Sequence, residues 1–273
     1  MIMISEILSY PFLMRAFFTG LLVSLTASLI GVSLTLRRYA MIGDGLSHVG
    51  FGSLGVAALL SIAPMALTVP TVVIASIVLL LISERKKDGG DSAIALISSS
   101  ALAIGVIAVS MGGVNTDLNS FLFGSILSVS KSDALLSVIL SIVALFSYVV
   151  FYHQIYATTF DSVFSKATGI KVERYTLLLS ILTALSVVIG MRILGSLLIS
   201  AIIIFPAKIA IKLAKTYKRV TIVSAIESLI AFTLGFIISY ALSLPTGASI
   251  VVTHLALLLI AMAVKAIQNR FRS

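Results

Sequence analysis

Cysteine and tryptophan are absent from the 273 residues, and histidine occurs only three times. Without cysteine there is no disulfide and no thiolate metal site, so any metal ligand must be His, Asp, Glu or backbone. Charge is the other shortage. Charged residues make up 11% of the chain, where a soluble domain carries about 25%. Hydrophobic residues make up 59%, and the mean hydropathy is +1.19. Signatures of soluble catalysis are missing too: there is no Gly-x-Ser-x-Gly, no His-Glu-x-x-His, no dinucleotide fingerprint and no Walker sequence. The chain therefore cannot hydrolyse ATP by itself in the P-loop manner. Ser47 and His48 are adjacent, so on a helix they diverge by about 100° and make a poor dyad for an intramembrane protease.

What is present is a succession of apolar runs, each near the roughly 20 residues needed to cross a bilayer. Nine are read, at 14–36, 44–62, 65–82, 92–112, 133–152, 175–191, 194–211, 219–240 and 248–267. The expected fold is all-α: a polytopic transmembrane helical bundle of about eight or nine membrane helices, eight if one weak segment is re-entrant, forming one domain over residues 1–273. No basic region followed by an apolar core and a small-residue cleavage site opens the chain, so the first segment is read as a retained membrane helix. The net charge of +9 does not indicate a nucleic-acid partner, because the basic residues sit in short connections between apolar runs. Placing the N-terminus outside puts sixteen of the nineteen Lys and Arg inside and leaves Arg15, Lys131 and Arg192 outside. That bias predicts a multi-pass protein of the cell membrane with a cytoplasmic C-terminus.

Two connections are longer than turns. The outer one, Gly112 to Lys131, is too apolar for a free loop and too short to span twice; a short re-entrant helix shielded by protein is expected. The inner one, His153 to Arg174, predicts a short amphipathic helix capped by Thr159 or Asp161 and ended by Gly169, with Phe160, Val163, Phe164 and Ala167 on one side. Such a helix either lies on the lipid surface or docks a soluble partner.

Polar residues inside apolar segments are costly and face a cavity or a partner. Asp44 and His48 are four apart and share a helix face. Counted from Arg38, they lie roughly 9 and 15 Å along the helix, the second near the midplane. A carboxylate and an imidazole so placed are candidate metal ligands. The alternatives are an N-cap for Asp44 and a neutral, backbone-bonded imidazole for His48. Glu227 is a further intramembrane carboxylate, lining the same path or paired with a cation across the bundle. His254 is read as helix packing, and Arg192 as a snorkelling residue in a short outer turn. Pro206 is expected to kink its helix, with Lys208 reaching the inner interface.

Several stretches together resemble the permease subunits of bacterial and archaeal ABC importers for zinc, manganese and related metal ions. They are Leu36-Arg37-Arg38 with Gly43-Asp44-Gly45-Leu46-Ser47-His48; Leu122 to Leu127; Asp161 to Ile170; Gly195 to Ser200 with Phe205-Pro206-Ala207; and Pro245 to Val251. They fall in the family's order and cover most of the chain. The resemblance implies a homodimeric or pseudo-dimeric membrane domain, two cytoplasmic ABC ATPase subunits and an external metal-binding protein. It implies no tightly bound cofactor, only a transported ion: zinc, manganese or iron. It also matches the short inner helix, with Asp161, Phe164 and Gly169, to the family's ATPase-coupling helix, and Asp44 and His48 to residues implicated in the metal's path. Lys208 departs from the small residues that many members carry there. A stand-alone ion-coupled cation transporter or channel, and a siderophore- or cobalamin-type permease, are the alternatives.

Overall fold

The computed structural model describes residues 10–85, 90–112, 130–196 and 198–270, with backbone only at 84, 85, 90 and 268–270. Eleven helices occur among them: α1 (Pro11–Leu36), α2 (Met41–Leu59), α3 (Pro64–Arg85), α4 (Gly90–Met111), α5 (Lys131–Val150), α6 (Tyr152–Phe160), α7 (Ser162–Ala167), α8 (Val172–Leu194), α9 (Ile199–Leu213), α10 (Tyr217–Leu242) and α11 (Thr246–Arg270). No strand is found among the described residues. Each of the nine expected apolar segments contains a helix, although the one expected at 194–211 begins its own only at Ile199. Seven helices, α1, α3, α4, α5, α8, α10 and α11, are long and apolar enough to cross a membrane. The other two differ for physical reasons. α9 has 15 residues, and α2 interrupts its apolar run with Asp44, His48 and five glycines. Residues 113–129, which include the expected re-entrant helix, lie outside the described residues.

The centre of the bundle is built on α1 and α8, whose apolar stretches are mostly buried, whereas α4 and α11 are mostly exposed. Leu13, Val23, Ile30 and Leu34 of α1 pack with Leu179, Val187 and Met191 of α8 and with Ile199 and Ile203 of α9 in one apolar cluster. In lipid the chain gains little by segregating apolar side chains, so close packing and interhelical hydrogen bonds hold helices together. α1 and α10 show this. The Ser24 and Ser228 hydroxyls are 2.6 Å apart, Ser228 Oγ donates to the Ser24 carbonyl at 2.9 Å, and one turn on Ser224 Oγ donates to the Ser28 carbonyl at 3.2 Å. A second buried chain runs from Ser33 through Tyr217 to Tyr148, with 2.9 Å at each step, and ties α1 to α10 and α5. Arg192, expected to snorkel, instead pairs with Asp133 at 2.6 Å and joins the end of α8 to the start of α5.

α2 and α4 pack backbone to backbone. A Cβ on Gly52 would come within 2.5 Å of the Ala101 carbonyl oxygen, and one on Gly55 within 2.8 Å of that of Gly105. Only glycine permits this approach. Gly45 faces Ile94 and Ser98 further down, so residue numbers rise together along the two helices and they run parallel.

The turn between α1 and α2 is tight. Arg38 adopts the left-handed conformation at φ 65°, and Arg37 donates to Thr176 Oγ1 of α8 at 3.2 Å and to Thr158 Oγ1 of α6 at 2.8 Å. α2 then begins at Met41, with Ala40 at the N-cap position and no capping side chain. Asp44 is therefore inside the helix and the N-cap reading does not hold. Because the helix starts three residues later than assumed, Asp44 and His48 lie about 5 and 10 Å along it, closer to the end marked by Arg37 and Arg38.

Replacing Gly52 with Leu is expected to destabilise the protein by about 1–3 kcal/mol, since the clash is with backbone that cannot swing aside. The thermal unfolding midpoint in detergent checks this; an unchanged midpoint would mean that α2 and α4 are not in backbone contact there.

Candidate functional site

Two places bring unusual residues together. The first is a cavity of about 250 Å³ between α2 and α4, lined by Met41, Asp44 and His48 on one side and by Asp91, Ile94, Ala95, Ser98, Ser99 and Leu102 on the other. The i, i+4 spacing puts Asp44 and His48 on the face that meets the cavity. Their Oδ2 and Nε2 atoms are 3.7 Å apart, with the side chains 38% and 17% exposed. At that distance they do not hydrogen-bond each other, so both keep lone pairs for a third party. Ser200 of α9 reaches Asp44 Oδ1 at 3.4 Å, and Gly43 leaves room for Ile203 beside it. A carboxylate and an imidazole with free lone pairs, in a space large enough for a partly hydrated ion, can hold a divalent transition metal transiently. Among the described residues no three His, Asp or Glu side chains converge as a complete metal site.

Glu227 is elsewhere. Its Oε1 lies 2.9 Å from Nδ1 of His254, and it does not line the Asp44–His48 cavity. The His254 ring is fully buried and lies nearly parallel to Phe205 of α9, with centroids 6.1 Å apart. The pair therefore braces α10 to α11 against α9. His254 thus does more than pack; Glu227 at ten residues into α10 and His254 at eight into α11 meet because the two helices form an antiparallel hairpin across Ser243–Pro245. Pairing them from the sequence needed that topology.

The second place is the end of the bundle marked by Arg37. α6 stops at Phe160, and Asp161 takes an extended conformation that lets its Oδ1 accept from the Phe164 N–H at 2.8 Å, capping α7. Thr159 does not cap; its hydroxyl donates back to the Ile155 carbonyl at 2.6 Å. At the other end Gly169 is left-handed, at φ 88°. Its N–H donates to the Lys166 carbonyl at 3.1 Å, and that of Ile170 to Ser165 at 3.0 Å. This double closure is a Schellman motif, which requires a residue free of Cβ strain. Between the two caps Val163 is 79% exposed, with Phe164 and Ala167 exposed beside it and Phe160 exposed just before the first cap. A cleft of about 700 Å³ beside them, between the α1–α2 turn and α7, is lined by Arg37, Arg38, Thr158, Phe160, Val163 and Lys166 among others. Two caps thus hold an apolar knob rigidly on the surface.

Three residues at the α2–α4 cavity carry no signal of it in the sequence. Asp91 and Ser98 come to the cavity through the α2–α4 register, and Ser200 through the packing of α9 on α2. Glycines spaced along both helices are the hint that they approach; which helix meets which is not written in that spacing.

Several known proteins are similar to this chain over nearly its whole length. The chain is 32% identical over 251 residues to the manganese import system permease protein ScaB of Streptococcus gordonii, covering 92% of this chain and 90% of that one. It is 28% identical over 244 residues to the high-affinity zinc uptake system membrane protein ZnuB of Haemophilus influenzae, covering 89% and 94%. Among solved structures it superposes on PsaBC from Streptococcus pneumoniae, determined in complex with Fab, with a TM-score of 0.84, 29% identity and coverage of 95% and 94%. The model of the ABC 3 transport family matches residues 9–265, and the chain belongs to that family.

Proposed function

We propose that the chain is the membrane-spanning permease subunit of an ATP-driven importer of divalent transition-metal ions, with manganese, zinc and iron(II) as the candidate cargoes. The observation that carries this reading is the Asp44–His48 pair, a carboxylate and an imidazole 3.7 Å apart in a cavity large enough for an ion, in a member of a family of transport proteins. Two ligands hold a metal weakly and release it, which suits a translocation path better than a resident site. Residues 1–273 form a single permease domain in this reading. Asp44 and His48 carry the ion; Glu227, whose Oε1 is engaged by His254 while its Oε2 is buried without a partner among the described residues, is a further candidate ligand.

The remaining assignments follow from the same reading. The energy source is a separate cytoplasmic ABC ATPase, docked on α7, where Asp161 and Gly169 fix the helix and Phe164 supplies the apolar contact. A rigid, exposed apolar knob fits a cleft on a soluble partner. Two copies of the permease assemble in the membrane, and an external metal-binding protein delivers the ion. The bias of Lys and Arg supports an orientation with the α7 end in the cytoplasm and the N-terminus outside.

Asp44→Ala or His48→Ala is expected to lower manganese or zinc uptake about tenfold, the equivalent of roughly 1.4 kcal/mol of lost ion stabilisation, without releasing the ATPase. Uptake at the wild-type rate in both variants would overturn the ligand assignment. Phe164→Asp is expected to abolish co-purification of the ATPase, because it buries a charge in an apolar contact; undiminished complex formation would remove α7 from the docking role. Metal flux through the purified chain alone in liposomes, at the rate of the ATP-driven complex, would favour a stand-alone transporter instead.

A further inference from the structure

The α4 wall of the Asp44–His48 cavity carries a carboxylate that the pair does not use. Asp91 lies in the first turn of α4 and lines the same cavity. The glycine contacts fix its height. Gly45 faces Ile94 and Ser98, Gly52 faces Ala101 and Gly55 faces Gly105, so α2 residues sit level with α4 residues about fifty positions later. On that register Asp44 is level with Ile94 and His48 with Ser98. Asp91 is three residues before Ile94, about 4.5 Å nearer the start of both helices at 1.5 Å per residue. The three side chains thus rise from the Arg37 end in the order Asp91, Asp44, His48, one turn at a time.

Exposure follows the same order. Asp91 is exposed, Asp44 is 38% exposed and His48 17%, so access to the cavity increases toward Asp91. Asp91 has no hydrogen-bond or ion-pair partner among the described residues. The three do not converge on one point, which is the arrangement of successive stations and not of a closed coordination shell. A carboxylate at the exposed end attracts a departing cation.

We infer that Asp91 is a third ion-handling residue, the outermost step of the path, which takes a hydrated divalent cation from Asp44 and passes it to water. The inference rests on the reading of Asp44 and His48 as ion ligands. Because Asp91 acts at the far side from delivery, its loss slows turnover and leaves capture of the ion unchanged.

The test uses the full chain assembled with its ATPase and delivery protein, with Mn²⁺ and Zn²⁺ as probes. Asp91→Asn is expected to lower the maximal uptake rate about fivefold, with the half-saturating ion concentration unchanged, and Asp91→Glu to restore most of the rate. Because the chain has no cysteine, Asp91→Cys provides a unique thiol. Mn²⁺ should slow its labelling by a water-soluble maleimide, and this protection should disappear when Asp44→Ala is added. An acidic residue at a helix start also steadies the helix. A lower unfolding midpoint with normal uptake per folded complex would therefore overturn the inference, as would equal losses in the Asn and Glu variants or labelling indifferent to Mn²⁺. If Asp44→Ala impairs uptake while Asp91→Asn does not, this inference fails alone. If Asp44→Ala and His48→Ala both transport normally, the reading beneath it fails.

Discussion

The backbone contact between α2 and α4 governs how this molecule presents its chemistry. Helices normally pack 8–10 Å apart, as their side chains dictate; here Gly52 and Gly55 let α2 settle onto the Ala101 and Gly105 carbonyls. Below that contact, beside Gly45, Asp44 and His48 face Ile94, Ser98 and their neighbours across a cavity. The register the contact imposes is what brings residues some fifty positions apart into one cavity.

Elsewhere the bundle is held by polar contacts suited to a lipid surround. The paired serines of α1 and α10, the Ser33–Tyr217–Tyr148 chain and the Asp133–Arg192 bridge each satisfy polar groups inside the protein. A group left unpaired in hydrocarbon would cost more than such a bond yields in water. The apolar faces of α4, α5 and α11 remain outward, where lipid or further protein can cover them.

The spans were legible because length and hydropathy report directly on the bilayer. So was α7, because its caps are local: Asp161 and Gly169 act within a few residues of where they stand. Asp44 and His48 were legible as a pair because helical periodicity alone aligns them. What could not be read was contact between distant segments. Arg192 read as a snorkelling residue because nothing near it in sequence hints at Asp133, and His254 read as packing because Glu227 lies twenty-seven residues away across a hairpin. The start of α2 was misplaced for a different reason. Arg38 is an ordinary residue held in a left-handed turn by its surroundings, and no proline or glycine marks the break.

Arg37 has a mechanical consequence. Its guanidinium holds Thr158 on α6 and Thr176 on α8 at once, and its backbone leads within four residues into the first turn of α2. α6 in turn runs directly into the capped α7. A push on the exposed Val163 and Phe164 therefore has a short, stiff route to the turn from which Asp44 is suspended. The surface knob and the Asp44–His48 pair are two ends of one linkage with a single arginine as its pin.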